Sequence, residues 1–212
     1  MGPSGAGKST VAERLAQRIP VTVIAVGMRL RAEAASGSPL GQQIRARLDQ
    51  GQLIPTDLMR QLIYTWLATV PPSRGFVIDG YPRSLEQACD LDSILASLHL
   101  RLDLVINLEV SPREALRRLA GRRMCAGGSE LFMLHIEDTG AVRRCLSRGG
   151  QLRERDGDRP EVIEERLRIY AQETRPALDF YARRGLLRSL DGEGSLEAVT
   201  DRVLALVHGA VT

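Results

Sequence analysis

Apolar positions along the chain follow two periods, one of about four residues and one of continuous short runs. Val11, Leu15 and Ile19 share one helical face, and Pro20 ends that helix. VTVIAV, from Val21 to Val26, is rich in β-branched residues and predicts a buried strand. Helices are predicted over 29–35, 40–49 and 57–69, separated by the breakers SGSP and GQLIP and closed by PPSRG. FVIDG (76–80) reads as a short strand with a carboxylate at its end. Ser84 is placed to cap a helix running to about Leu98, with Leu85, Ala88, Leu91 and Leu95 on its apolar side. LVINLEV (104–110) predicts another strand, and Pro112 suits the first turn of the helix after it. From Cys125 to Gly150 five glycines and no sustained period predict an inserted loop or small hairpin lobe. A helix over 160–180, a strand at LLRSL and a helix over 196–207 complete the pattern.

Strands separated by helices of this length predict an α/β fold with a doubly wound parallel sheet. Such sheets bind ligands at the carboxyl ends of their strands, where Gly27, Asp79 and Gly80 fall. With 212 residues the chain holds one substantial core, or a core carrying small lobes. No run approaches 18 uncharged apolar residues, so no membrane span is expected. The first residues lack the apolar region of a secretory signal, which predicts a cytoplasmic protein. Cys89, Cys125 and Cys145 do not form a paired extracellular framework; Cys89 is expected to be buried in helix packing.

The opening residues carry the sharpest signal. Gly2 to Ser9 fit G-x-x-x-x-G-K-[ST], in which backbone N–H groups wrap a polyphosphate and the lysine reaches its outer phosphates. Gly2, Gly5, Ala6 and Gly7 are therefore expected to cradle phosphate at a helix N-terminus, and Lys8 to offset charge on the phosphoryl group in flight. Ser9 is a candidate Mg²⁺ ligand, with Thr10 the weaker candidate beside it. Asp79 is placed to hold the magnesium water shell, and Gly80 to shape the turn that aims Arg83.

Charge sharpens this reading. The net charge is only +3, and Lys8 is the sole lysine, so every other basic residue is an arginine. Between Arg118 and Arg155 eight arginines face four acids, a focused positive field suited to an anionic ligand. Aromatics make up 4% of the chain and are not interleaved with these arginines, which argues against nucleic acid. Phosphoryl transfer between two polyanions needs cations on both sides and exclusion of water. The basic insert supplies one side, and Arg31 and Arg83 the other. By spacing alone, a kinase and a hydrolase stay open.

GPSGAGKST, LRAEAASGSPLG, GQLIP, GFVIDGYPRSLEQA, RLAGRR and RERDGD occur in the order found in adenylate kinases, and over nearly the whole length the chain resembles that family of nucleoside monophosphate kinases. The resemblance implies reversible transfer of the γ-phosphoryl of ATP to AMP, giving two ADP, with Mg²⁺ and no protein nucleophile. It implies a core at 1–25, 56–117 and 156–212, a monophosphate-binding insert at 26–55 and a lid at 118–155. Arg31 and Arg83 fall where the family grips the AMP phosphate, Gln87 where it reads adenine, and Gly51, Leu53 and Ile54 along the base. Arg118 and Arg122 match arginines on the ATP phosphates; Arg155 and Arg166 match those closing on the transferring group. Asp158 falls on the second of two lid-hinge aspartates. Small-molecule nucleotides are the implied partners, and a monomer the implied state.

Departures from the family pattern carry their own expectations. Long bacterial members hold zinc in the lid through four cysteines, where this chain has Cys125, Gly128, Cys145 and Arg148, so zinc is not expected. His135 is read as an incidental lid histidine. Val26 and Met28 stand where Thr and Asp are usual, which leaves UMP or CMP open as acceptor. Gly157 replaces the first hinge aspartate, and Ser9 stands where most adenylate kinases have glycine. The family begins with a central strand before the glycine loop, and here Met1 alone precedes it. That predicts a gap in the sheet, and either a start upstream or a shortened copy, which as a bare nucleotide-binding module would be weakly active.

Overall fold

The computed structural model describes residues 1–127, 132–154 and 158–211. It is an α/β protein. Strands β1 (Val21–Ala25) and β2 (Gly75–Asp79) form one parallel pair, and β3 (Val105–Glu109) and β7 (Leu187–Asp191) a second. A separate antiparallel sheet runs in the order β5 (Phe132–His135), β4 (Arg122–Ala126), β6 (Gln151–Arg153). The parallel strands therefore stand as two pairs and not one continuous ladder among the described residues. Between them, Met1 donates its N–H to Ile106 O, and Leu108 N donates to Met1 O at 3.1 Å.

Helices α1 (Lys8–Ala16), α2 (Val26–Ala35), α3 (Pro39–Asp49), α4 (Thr56–Leu67), α5 (Leu85–Ser97) and α6 (Pro112–Ala120) come first. Then follow α7 (Thr139–Ser147), α8 (Pro160–Ile169), α9 (Arg175–Arg183) and α10 (Leu196–Val211). A π-helical turn, Tyr170–Thr174, joins α8 to α9. Pro176, at the start of α9, lacks the N–H that Gln172 O would accept in a regular helix, and its ring crowds that carbonyl, so the helix widens there.

One apolar core lies among β1, α2 to α5 and Tyr81, with Ile24, Ile44, Ile63 and Leu67 fully buried. A second packs α1 against α10 and β3 through Val11, Leu15, Leu108, Val199 and Val203. Hydroxyls fix four helix starts: Ser38, Ser84, Ser111 and Ser195 accept from the N–H of Gly41, Gln87, Glu114 and Ala198.

Several sequence expectations are corrected. Val26 opens α2 where it was expected to end a strand, because its side chain is drawn into the first core. The region from Cys125 to Gly150, expected to be loop or hairpin, also contains α7, capped by Asp138 accepting from Ala141 N. Cys89 is exposed, since the buried face of α5 is set by Ala88, Leu91 and Leu95; Leu85, assigned to that face, is 41% exposed. Cys125 and Cys145, not expected to belong to a paired framework, form a disulfide that joins β4 to α7. Gly150 makes room for it: a Cβ there would lie 2.5 Å from Cys125 Sγ and 2.8 Å from Cys145 Sγ.

Candidate active site

A cavity of about 310 Å³ opens at the carboxyl ends of β1 and β2. Its floor is the loop before α1. Gly5 holds φ +86° there, and a Cβ on it would sit 2.6 Å from Ala115 O, so a larger residue would push the loop off α6. Gly7 caps α1 in the left-handed conformation, and the first turn of α1 supplies unpaired N–H groups beside Lys8. Lys8 Nζ donates to Gly2 O (2.8 Å) and Pro3 O (2.7 Å), folding the lysine back over its own loop.

Cations reach the cavity from six elements: Lys8 at the start of α1, Arg31 on α2, Arg83 after β2, Arg118 on α6, Arg122 on β4 and Arg166 on α8. Ordering contacts hold most of them. Arg83 N donates to Gln87 Oε1 (2.8 Å), and Arg83 Nε to Gly80 O (2.8 Å). Arg118 Nε donates to Glu114 Oε1 (2.7 Å), and its far end donates to Gly192 O (3.1 Å) and Ala6 O (3.5 Å). Arg117 and Arg118 together hold the Glu114 carboxyl well below its usual range, to about 2. Asp158, 5% exposed in its side chain, takes Arg122 Nε at 2.6 Å and Arg122 Nη2 in a second bond, and lies 3.7 Å from Arg166.

The cost of gathering these groups shows in their protonation. Burial pushes Lys8 down to about 8, with Arg83 and Arg122 adding repulsion and Asp79 opposing it. Burial also lowers Arg166 to about 10, with Arg83 as the next cause, and lowers Arg83. An anion in the cavity would relieve all three.

Asp79 lies at the end of β2 and is 9% exposed. Its Oδ2 accepts from Ser9 Oγ at 2.5 Å, while Oδ1 is buried without a partner. A buried carboxylate oxygen left unpaired is costly and invites a cation or its water. With the adjacent hydroxyl, the donor set is oxygen only, which suits Mg²⁺.

The sequence-nominated residues sort cleanly. Gly5, Gly7, Lys8, Ser9, Thr10, Arg31, Leu53, Ile54, Asp79, Gly80, Arg83, Gln87, Arg118, Arg122 and Arg166 line the main cavity. Gly2 and Gly51 line an adjoining cavity of about 50 Å³, also bordered by Lys8, Arg83 and Arg166. Ala6 is buried beneath the loop. Arg155, Gly128 and Gly157 lie outside the described residues. Sequence reasoning missed Tyr81, whose OH donates to Gln87 O (3.1 Å), and the apolar wall of Leu30, Leu48 and Met59. It also missed Thr174 and Tyr170, for which Pro176 inside an expected helix was the available signal. Among the described residues, no three His, Cys, Asp or Glu side chains gather to hold a metal, and the disulfide leaves Cys125 and Cys145 no thiolate to offer. No described helix is long and apolar enough to cross a membrane.

Guanidinium groups drawn from several elements of an α/β fold converge over one glycine loop, an arrangement suited to phosphoryl transfer. The family profile described as adenylate kinase matches residues 1–186. An adenylate kinase of Thermodesulfovibrio yellowstonii is 34% identical over 208 residues, covering 98% of this chain and 97% of that protein. Those of Salinispora tropica and Acidothermus cellulolyticus are each 38% identical, over 96% and 98% of this chain and 94% and 96% of theirs. The chain belongs to the adenylate kinase family, and it is a phosphotransferase of that family's type.

Proposed function

We propose that the protein transfers the γ-phosphoryl of ATP to AMP through a division of labour among these cations. An oxygen of the AMP phosphate forms the new P–O bond as the bond from γ-phosphorus to the β-bridging oxygen breaks, and two ADP result. The glycine loop and the α1 N-terminus hold the ATP β-phosphate; Lys8 stabilises the moving group, and Arg118 and Arg122 grip ATP. Arg31 and Arg83 hold the acceptor phosphate, and Arg166 and Arg155 are assigned to the transferring group. No side chain is needed as nucleophile, because alignment and charge carry the reaction. Ser9 and Asp79 would hold hydrated Mg²⁺, which when bound neutralises charge on the β- and γ-phosphates.

Gln87 reads the base, with Gly51, Leu53 and Ile54 beside it. Its Oε1 accepts from Arg83 N, so its Nε2 is the atom left to donate to a ring acceptor. Val26, buried at this wall, offers no hydrogen bond, which favours a second reading in which UMP or CMP is also accepted. Residues 26–55 and 118–155 are the segments that close over the two nucleotides and exclude water. The core between them is read as a doubly wound phosphate-loop architecture, whose described parallel strands form two pairs.

The observation carrying this reading is the convergence of Lys8, Arg31, Arg83, Arg122 and Arg166 on one cavity. It is tested by ADP release from ATP with AMP, UMP, CMP and GMP as acceptors. AMP is expected to lead; a clear preference for UMP or CMP would reassign the acceptor, and turnover with water alone would make the protein a hydrolase.

A further inference from the structure

The helix carrying Arg166 also carries a contact that the reaction as described does not use. Thr174 is 6% exposed, and its Oγ1 donates to the backbone carbonyl of Arg83 at 2.8 Å, across 91 residues of chain. The Arg83 backbone is thus held at both ends, its N–H by Gln87 Oε1 and its carbonyl by Thr174.

The π-helical turn is what lets one helix do both tasks. Eight residues of regular α-helix would leave Thr174 about 80° around the axis from Arg166. A π-helical turn absorbs one extra residue, which brings Thr174 back to within roughly 20° of Arg166. Arg166, Ile169, Tyr170 and Thr174 accordingly border one cavity together with Lys8 and Arg83.

We propose that Thr174 is a positioning residue for the acceptor: its hydroxyl, set in register by the π-helical turn, fixes the Arg83 backbone so that the guanidinium meets the monophosphate. The proposal rests on the reading of Arg83 as an acceptor residue. Removing the hydroxyl leaves a buried carbonyl unpaired and lets the 80–83 turn shift, while the ATP side of the cavity keeps its own anchors at Glu114 and Asp158.

The experiment compares wild type, Thr174→Val and Thr174→Ser, with KM for AMP and ATP from turnover and Kd for each from calorimetry. Thr174→Val is expected to raise KM and Kd for AMP about tenfold, with both ATP constants within twofold of wild type. Thr174→Ser, which retains the hydroxyl, is expected to restore AMP binding. A merely structural role would weaken both nucleotides together and follow the unfolding midpoint. Equal loss for both, no loss for either, or a serine variant as impaired as the valine would overturn the proposal. Should the valine variant not fold, Thr174→Ala is read by the same criteria. A wild type that binds AMP without transferring phosphate refutes the functional reading while the Thr174 ratios stay readable; one that binds no AMP overturns both.

Discussion

The antiparallel sheet of β5, β4 and β6 gives the most quantitative expectation. Its interior is small: Cys125, Leu134, Ala141 and Cys145 are buried, with Phe132, Val142 and Leu152 packed partly against them. A cluster of that size contributes little by itself, and the disulfide closing a 20-residue separation is its main constraint. Chain-entropy arguments assign such a loop about 3 kcal/mol. Because this small core is separate from the others, that loss is expected in local protection more than in the overall midpoint. Three kcal/mol corresponds to exchange about a hundredfold faster.

The perturbation is a dithiol reductant, or Cys125→Ser with Cys145→Ser, read by hydrogen–deuterium exchange of peptides over 122–126 and 151–153. Peptides from α4 and α5, in a separate core, serve as the internal control. KM for ATP is expected to rise in parallel, since Arg122 stands on β4. Disulfides persist in oxidising surroundings and are cleared by cytosolic thiol systems, so the two arms span both conditions. Lid exchange within twofold in the two states, with the bond shown to be broken, would refute the reasoning.

Arg83→Ala is expected to raise KM for AMP by more than tenfold and leave the Kd for ATP nearly unchanged; equal loss in both would mean that the arginine serves neither nucleotide in particular. Lys8, lowered to about 8 from 10.5, is about half neutral at pH 8, so ATP binding that recharges it should take up about half a proton there and almost none at pH 6. Between pH 8 and 10.5 the unfolded chain holds that proton and the folded chain does not, so Lys8 raises ligand-free stability with pH across this window. Calorimetry in buffers of different ionisation enthalpy reads the uptake, and Lys8→Met should abolish it. Asp158→Asn should cost roughly 2 kcal/mol in urea unfolding without ligand and less with ATP and AMP bound, because phosphates then take over Arg122 and Arg166. Gly150→Ala, with no room for its Cβ beside the disulfide, should leave lid thiols open to thiol-specific titration.

What was legible in the chain was what local chemistry dictates. The glycine loop has a fixed spacing because backbone N–H groups must wrap phosphate, and the runs VTVIA and FVID announce strands by their β-branched content. Arginines at 31, 83, 122 and 166 were nominated from motif positions, and they reach one cavity although up to 135 residues separate them. The failures occur where tertiary contact overrides local preference. Val26 has strand propensity, yet it is buried at the start of a helix. Helix α7 opens on the cap Asp138 and sets Ala141 and Cys145 at helical spacing, but Gly140 and two arginines within nine residues obscured that short signal. The π-helical turn escaped because the periodic pattern was carried through Pro176, the residue that interrupts it.

The separate origin of the cations has a mechanistic consequence. Arg31 belongs to α2, Arg122 to β4 and Arg166 to α8, so no single local rearrangement brings them together or spreads them apart. Burial depresses Lys8, Arg83 and Arg166, and neighbouring cations add repulsion at Lys8 and Arg166. Asp158, paired with Arg122 and 3.7 Å from Arg166, and Asp79, whose charge acts on Lys8 and Arg83, are countercharges in this cluster. A nucleotide on one side relieves only the repulsion it touches. In the proposed mechanism the transferring phosphoryl group, between donor and acceptor, would face Lys8 and Arg166 at once. Such an arrangement would favour the transition state over either bound ground state, which is the condition for accelerating transfer and not merely tightening binding.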